Sequence, residues 1–91
     1  MSDSLENLSD FELVTMLSCV LKLKHKLKRA SEKPCSMDAD LCGMAHASLV
    51  NDGGLYVVAA SVSGAIVTKV ATAPEDAVEN LAGMLMQRIG G

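Results

Sequence analysis

Asp52-Gly53-Gly54-Leu55-Tyr56-Val57-Val58-Ala59-Ala60-Ser61-Val62-Ser63-Gly64-Ala65-Ile66-Val67-Thr68-Lys69-Val70-Ala71-Thr72-Ala73-Pro74-Glu75-Asp76-Ala77-Val78-Glu79-Asn80 reads as turn, strand, turn, strand and capped helix without a gap. Asn51 to Gly54 tolerate the positive φ of a tight hairpin and therefore close a turn. Leu55 to Val62 follows as a strand, Ser63-Gly64 as a second tight turn, and Ala65 to Ala71 as the next strand. Thr72-Ala73-Pro74-Glu75 has the layout of a capping box with proline in the first helical turn, and Glu75, Asp76 and Glu79 suit the positive end of a helix. Val78, Leu81, Ala82, Leu85 and Ile89 then recur at helical spacing, with Gly90 as a helix stop.

Working outward, Gly43 to Val50 alternates weakly between apolar and polar residues and predicts a first strand. Ala30 to Asp40 has no helical period and contains Pro34, which predicts a loop. Before it, Ser9 and Glu12 are spaced as a capping box, and Leu8 and Leu13 as a hydrophobic staple. Leu13, Met16, Cys19, Val20, Leu23, Leu27 and Ala30 share one helical arc. Leu21-Lys22-Leu23-Lys24-His25-Lys26-Leu27-Lys28 also alternates like a strand, but leucine and lysine favour helix and late lysines offset the helix dipole. The expected organisation is a single domain over 1–91, with a helix at 9–32, a loop at 33–42, a three-stranded meander at 43–71 and a helix at 72–89. This is an α+β fold of αβββα order, a three-stranded antiparallel sheet packed on two helices.

The strand Leu55 to Val62 is apolar on both sides, with Tyr56, Val58, Ala60 and Val62 on one and Leu55, Val57 and Ala59 on the other. Such a strand is expected to be covered on both faces, by the two helices or by a second subunit. A 91-residue chain buries only about 60 to 65% of its unfolded surface, so a homodimer or a partner is expected to cover apolar area. Hydrophobic residues form 49% of the chain, yet Phe11 and Tyr56 are its only aromatics, which disfavours stacking on single-stranded nucleic acid.

The formal net charge is −3, and its signs are segregated. Lys22, Lys24, Lys26, Lys28, Arg29 and Lys33 crowd one segment, while Asp38, Asp40, Asp52, Glu75, Asp76 and Glu79 outweigh Lys69 and Arg88 in the remainder. Cys19, Cys35 and Cys42 are odd in number and no signal-peptide pattern opens the chain, so free thiols in a reducing cytoplasm are expected. Gly53 to Thr68 is uncharged but shorter than the roughly 20 residues of a membrane-crossing helix, and no membrane span is expected.

No catalytic or metal motif emerges. No nucleophile or carboxylate is spaced to act with His25 or His46, and Cys35, Cys42 and His46 lack the C-x₂₋₄-C spacing of zinc sites. Asp38 and Asp40 read as carboxylates of a solvated loop. Lys22, Lys26, Arg29 and Lys33 form a basic stripe on the first helix, the candidate partner-binding residues.

Asp52, Gly53, Gly54, Tyr56, Val58, Gly64, Thr72, Glu75, Ala77, Glu79 and Asn80 follow a recurrent order: Asp/Glu-Gly-Gly turn, Tyr-x-Val, Gly turn, Thr-x-x-Glu-Ala, helix. In this, residues 46–85 resemble the core of HicB antitoxins, which implies a toxin-sequestering or protein-binding role. The αβββα order is also similar to double-stranded RNA-binding domains. That family contacts phosphates with lysines opening its last helix, where this chain has Glu75 and Asp76, so nucleic-acid binding is not expected to transfer.

The sequence therefore predicts a cytoplasmic, non-enzymatic module without cofactor or metal that binds and inhibits or sequesters another protein, in the manner of an antitoxin or a phage-encoded inhibitor. The alternative is a nucleic-acid-binding module using the basic stripe.

Overall fold

The computed structural model describes residues 8–30, 32 and 35–90. Its elements run α1 Asp10–Arg29, β1 Ser36–Leu41, β2 Ala45–Asp52, β3 Leu55–Val62, β4 Ala65–Ala71 and α2 Pro74–Gly90. The fold is α+β, but the antiparallel sheet has four strands in the order β1-β2-β3-β4, not three.

The additional strand lies in the segment expected to be a loop. Ser36-Met37-Asp38-Ala39-Asp40-Leu41 alternates with period two, and its burial follows: Ala39 is buried, Met37 and Leu41 are half-buried, and Ser36, Asp38 and Asp40 are exposed. Aspartate is poor in strands, which hides the pattern; here both aspartates take the solvent side, where hydration is kept. Cys42 and Gly43 both have positive φ, 51° and 71°, in a turn closed by the Met44 N–H donating to the Leu41 carbonyl at 2.8 Å. Gly43 is thus a turn residue, and β2 begins at Ala45 and continues to Asp52.

The next two hairpins follow their local chemistry. Gly53 and Gly54 have φ of 62° and 92°, and the Gly54 N–H donates to Asn51 Oδ1 at 3.2 Å. Ser63 at 51° and Gly64 at 84° close the last turn, so two-residue loops with both φ positive match the twist of the strands they join.

α1 opens on a complete capping box: the Ser9 N–H donates to Glu12 Oε1 at 3.0 Å, and the Glu12 N–H to Ser9 Oγ at 3.2 Å. Leu23 and Leu27 are buried whereas Leu21 is exposed, as a helix requires and a strand would not. The helix ends at Arg29 with Ala30 as C-cap, short of residue 32. In α2 the first backbone bond joins the Ala77 N–H to the Ala73 carbonyl at 3.1 Å. Ala73 is therefore the N-cap and Pro74 the first helical residue, one position later than Thr72 predicted.

Both helices lie on one face of the sheet, α1 over β1 to β3 and α2 over β3 and β4, and they pack against each other. Met16, Val20, Leu23, Leu49, Val58, Val78, Leu81 and Leu85 form a fully buried centre. Each such side chain contributes about 1.5 to 3 kcal/mol of transfer free energy. The ion pair of Lys24 with Glu79 joins the two helices at their surface. Thr15, a buried polar side chain of α1, donates its hydroxyl to the Phe11 carbonyl at 2.7 Å.

Within the described chain the helices cover one side of β3. Tyr56, Val58, Ala60 and Val62 are buried under the helices, while Leu55, Val57, Ala59 and Ser61 lie on the face that carries no helix. Among the described residues no helix is long and apolar enough to cross a membrane.

Candidate protein-binding face

Strand register lays the open face out in rows. Asp40, His46, Ser61 and Ile66 stand side by side across the four strands; Asp38, Ser48, Ala59 and Thr68 form the next row, and Ser36, Val50, Val57 and Val70 the third. Small side chains occupy the middle row, with taller apolar ones at its sides. Val50, Leu55, Ile66 and Val70 are 44%, 43%, 59% and 51% exposed, so the face is apolar toward β3 and β4 and acidic toward β1.

Its polar centre is His46. The Nδ1 atom lies 2.6 Å from Asp40 Oδ1, and Nε2 lies 3.9 Å from Asp38 Oδ2, which places the imidazole between two carboxylates. The hydrogen bond from His46 holds the Asp40 carboxyl below its usual range, helped by the charges of His46, Lys22 and Lys26. A loop over residues 33–42, as the sequence predicts, would keep these groups apart. Asp40 and His46 are equidistant from Gly43, and once the turn at Cys42-Gly43 is recognised their pairing follows from the hairpin register. Among the described residues no hydroxyl or thiol hydrogen-bonds to the imidazole.

Two members of the basic stripe, Lys22 and Lys26, make hydrogen bonds within the fold. The Asn51 N–H donates to the Cys35 carbonyl at 2.9 Å, which turns Cys35, Met37, Ala39 and Leu41 toward β2 and leaves the carbonyls of Asp38 and Asp40 on the outer edge. Lys22 Nζ donates to the Asp40 carbonyl at 2.8 Å and Lys26 Nζ to the Asp38 carbonyl at 2.9 Å. Two of the four candidate residues thus satisfy the edge of the sheet. Arg29 is exposed beside a depression shared with His25, Lys26, Met37 and Asp38, and Lys33 lies outside the described residues.

The cysteines are free and far apart in role. Cys19 is buried and donates its thiol to the Ala39 carbonyl at 3.2 Å, and burial pushes its pKa up. Cys35 and Cys42 flank β1 at opposite ends, roughly 20 Å apart at strand rise, so Cys35, Cys42 and His46 are not brought together.

No protein-family model, curated protein or solved structure matches this chain.

Proposed function

We propose that this chain is a non-enzymatic protein-binding module that inhibits or sequesters a partner protein, and that it does so through the open face of its sheet. The observation that carries this reading is the asymmetry of the two layers: both helices cover one face, and the other exposes Val50, Leu55, Ile66 and Val70, with Val57 half-buried between Val50 and Val70. Contiguous apolar surface of this kind marks interaction sites in soluble domains. The resemblance of residues 46–85 to the HicB antitoxin core supports a sequestering role, and three free thiols support a reducing compartment.

Two further observations favour binding over the alternatives. The Asp40–His46 pair has no hydroxyl or thiol hydrogen-bonded to it among the described residues, so it lacks the activated nucleophile of an acyl-transfer site. Lys22 and Lys26 are engaged by the edge carbonyls and Lys24 by Glu79, which leaves α1 fewer cations for a phosphate backbone.

The test compares affinity capture from the native source by the wild-type chain, by Val57→Lys with Val70→Lys, and by Lys22→Gln with Lys26→Gln, each confirmed folded by circular dichroism. The sheet variant is expected to lose a partner that the helix variant retains. Loss by the helix variant alone, or strong low-salt binding of generic RNA or DNA that collapses as salt rises, would overturn the proposal.

A further inference from the structure

We infer that the open face selects a basic partner: it receives an amphipathic helix whose apolar stripe lies over the small middle row and whose lysine or arginine side chains reach the carboxylates of Asp38 and Asp40. This rests on the protein-binding reading and names the chemistry of its partner.

The first argument is the sign of the charge. Asp38, Asp40 and Asp52 are the ionised side chains on the open face, and no lysine or arginine of the described residues projects from it, since Lys69 belongs to the opposite side of β4. Lys22 and Lys26 approach from the edge and bind main-chain carbonyls, leaving the Asp38 and Asp40 side chains 69% and 70% exposed.

The second argument is shape. The His46 ring separates two shallow depressions. One is lined by Asp40, Met44, His46, Ser61 and Ile66, the other by Asp38, His46, Ser48 and Val50. Each combines a carboxylate, a small hydroxyl-bearing side chain and an apolar wall. A lysine or arginine has the matching form, an apolar stem with a cationic head.

The third argument excludes a strand as occupant on the acidic side. Two of the outer carbonyls of β1, those of Asp38 and Asp40, are already bonded by Lys26 and Lys22, so a chain cannot pair along that edge without displacing them. A layer above the face remains, and helices over sheets are the packing this domain already uses on its other side.

The experiment uses the full chain and two synthetic helical peptides with the same leucine stripe, one carrying lysine and the other glutamate at the polar positions. Binding is followed by amide chemical shifts and titration calorimetry. The lysine peptide is expected to bind and shift Ser48, Ala59 and Ile66, and Asp38→Asn with Asp40→Asn to weaken it about tenfold, the effect of losing two partly exposed charge pairs. Glu75→Gln with Asp76→Asn, which removes the same charge from α2, is expected to change affinity less than about twofold. Equal binding of the two peptides, shifts centred on α1, equal weakening by the α2 control, or no binding of either peptide would each overturn the inference. If the peptides show no preference while Val57→Lys with Val70→Lys still loses the native partner, the protein-binding reading stands and only the basic preference is removed.

Discussion

Lys22 donates its ammonium to the main-chain carbonyl of Asp40 at 2.8 Å, so β1, one of the two edge strands of the sheet, is held on its free side by a helix side chain and not by another strand. Lys26 does the same for Asp38. Edge strands with open carbonyls are templates for unwanted pairing, and lysine cover is a known means of blunting them.

Replacing both lysines, Lys22→Ala with Lys26→Ala, is therefore expected to lower stability by about 1 kcal/mol and to increase self-association. Thermal melts and light scattering measure the two effects. An unchanged melt with unchanged mass would mean that water satisfies these carbonyls equally well.

Leu49 and Val50 are neighbours on β2 with opposite surroundings, fully buried against 44% exposed. Leu49→Ala should cost about 2 to 5 kcal/mol through lost transfer free energy and a cavity, whereas Val50→Ala should stay within about 0.5 kcal/mol. Denaturant unfolding of both variants tests which face is the core. Similar costs would place a cover on the open face.

Glycines separate by φ. Gly83 sits inside α2 with nothing within 4 Å of an added Cβ, so Gly83→Ala should stabilise by about 1 kcal/mol through helix propensity. Gly54 has equal space but a φ of 92°, so Gly54→Ala should destabilise by about 1 to 2 kcal/mol from backbone conformation alone. In a domain of this size 1 kcal/mol moves the melting temperature by about 4 to 8 °C, well within calorimetric precision. A Gly83→Ala variant that melts lower would point to close approach by another chain at that turn of α2.

Asp40 provides a pH test. Its carboxyl is held below the ordinary 3.8 chiefly by the His46 hydrogen bond, so the folded state binds its proton less readily than the unfolded state does. Its contribution to stability is therefore present above 3.8 and lost as pH falls through the lower folded value. In an NMR titration Asp40 should have its midpoint below 3.8, and His46→Ala should move that midpoint upward. A midpoint unaffected by the substitution would assign the effect to Lys22 and Lys26.

How much of this was legible follows from the range of each signal. Ser9 with Glu12, Gly53 with Gly54, and Ser63 with Gly64 act over a few residues, and these cap and turn assignments agree with the structure. The alternation of β1 was present in Met37, Ala39 and Leu41, but two aspartates and a turn built on Cys42 concealed it, because cysteine at positive φ carries no common turn signature. The Asp40–His46 contact was hidden with it, since the two residues meet only through that hairpin.

The two helices, two of the three hairpin turns and the buried stripe of α1 were legible in the sequence, because periodicity and backbone preference are properties of short segments. Only the long-range contacts show that β1 pairs as a fourth strand, that both helices settle on the same face, and that Lys22 and Lys26 hydrogen-bond the edge carbonyls of β1. Those outcomes depend on which long-range contacts bury the most apolar surface while satisfying the most backbone groups, a sum over the whole chain that no local window contains.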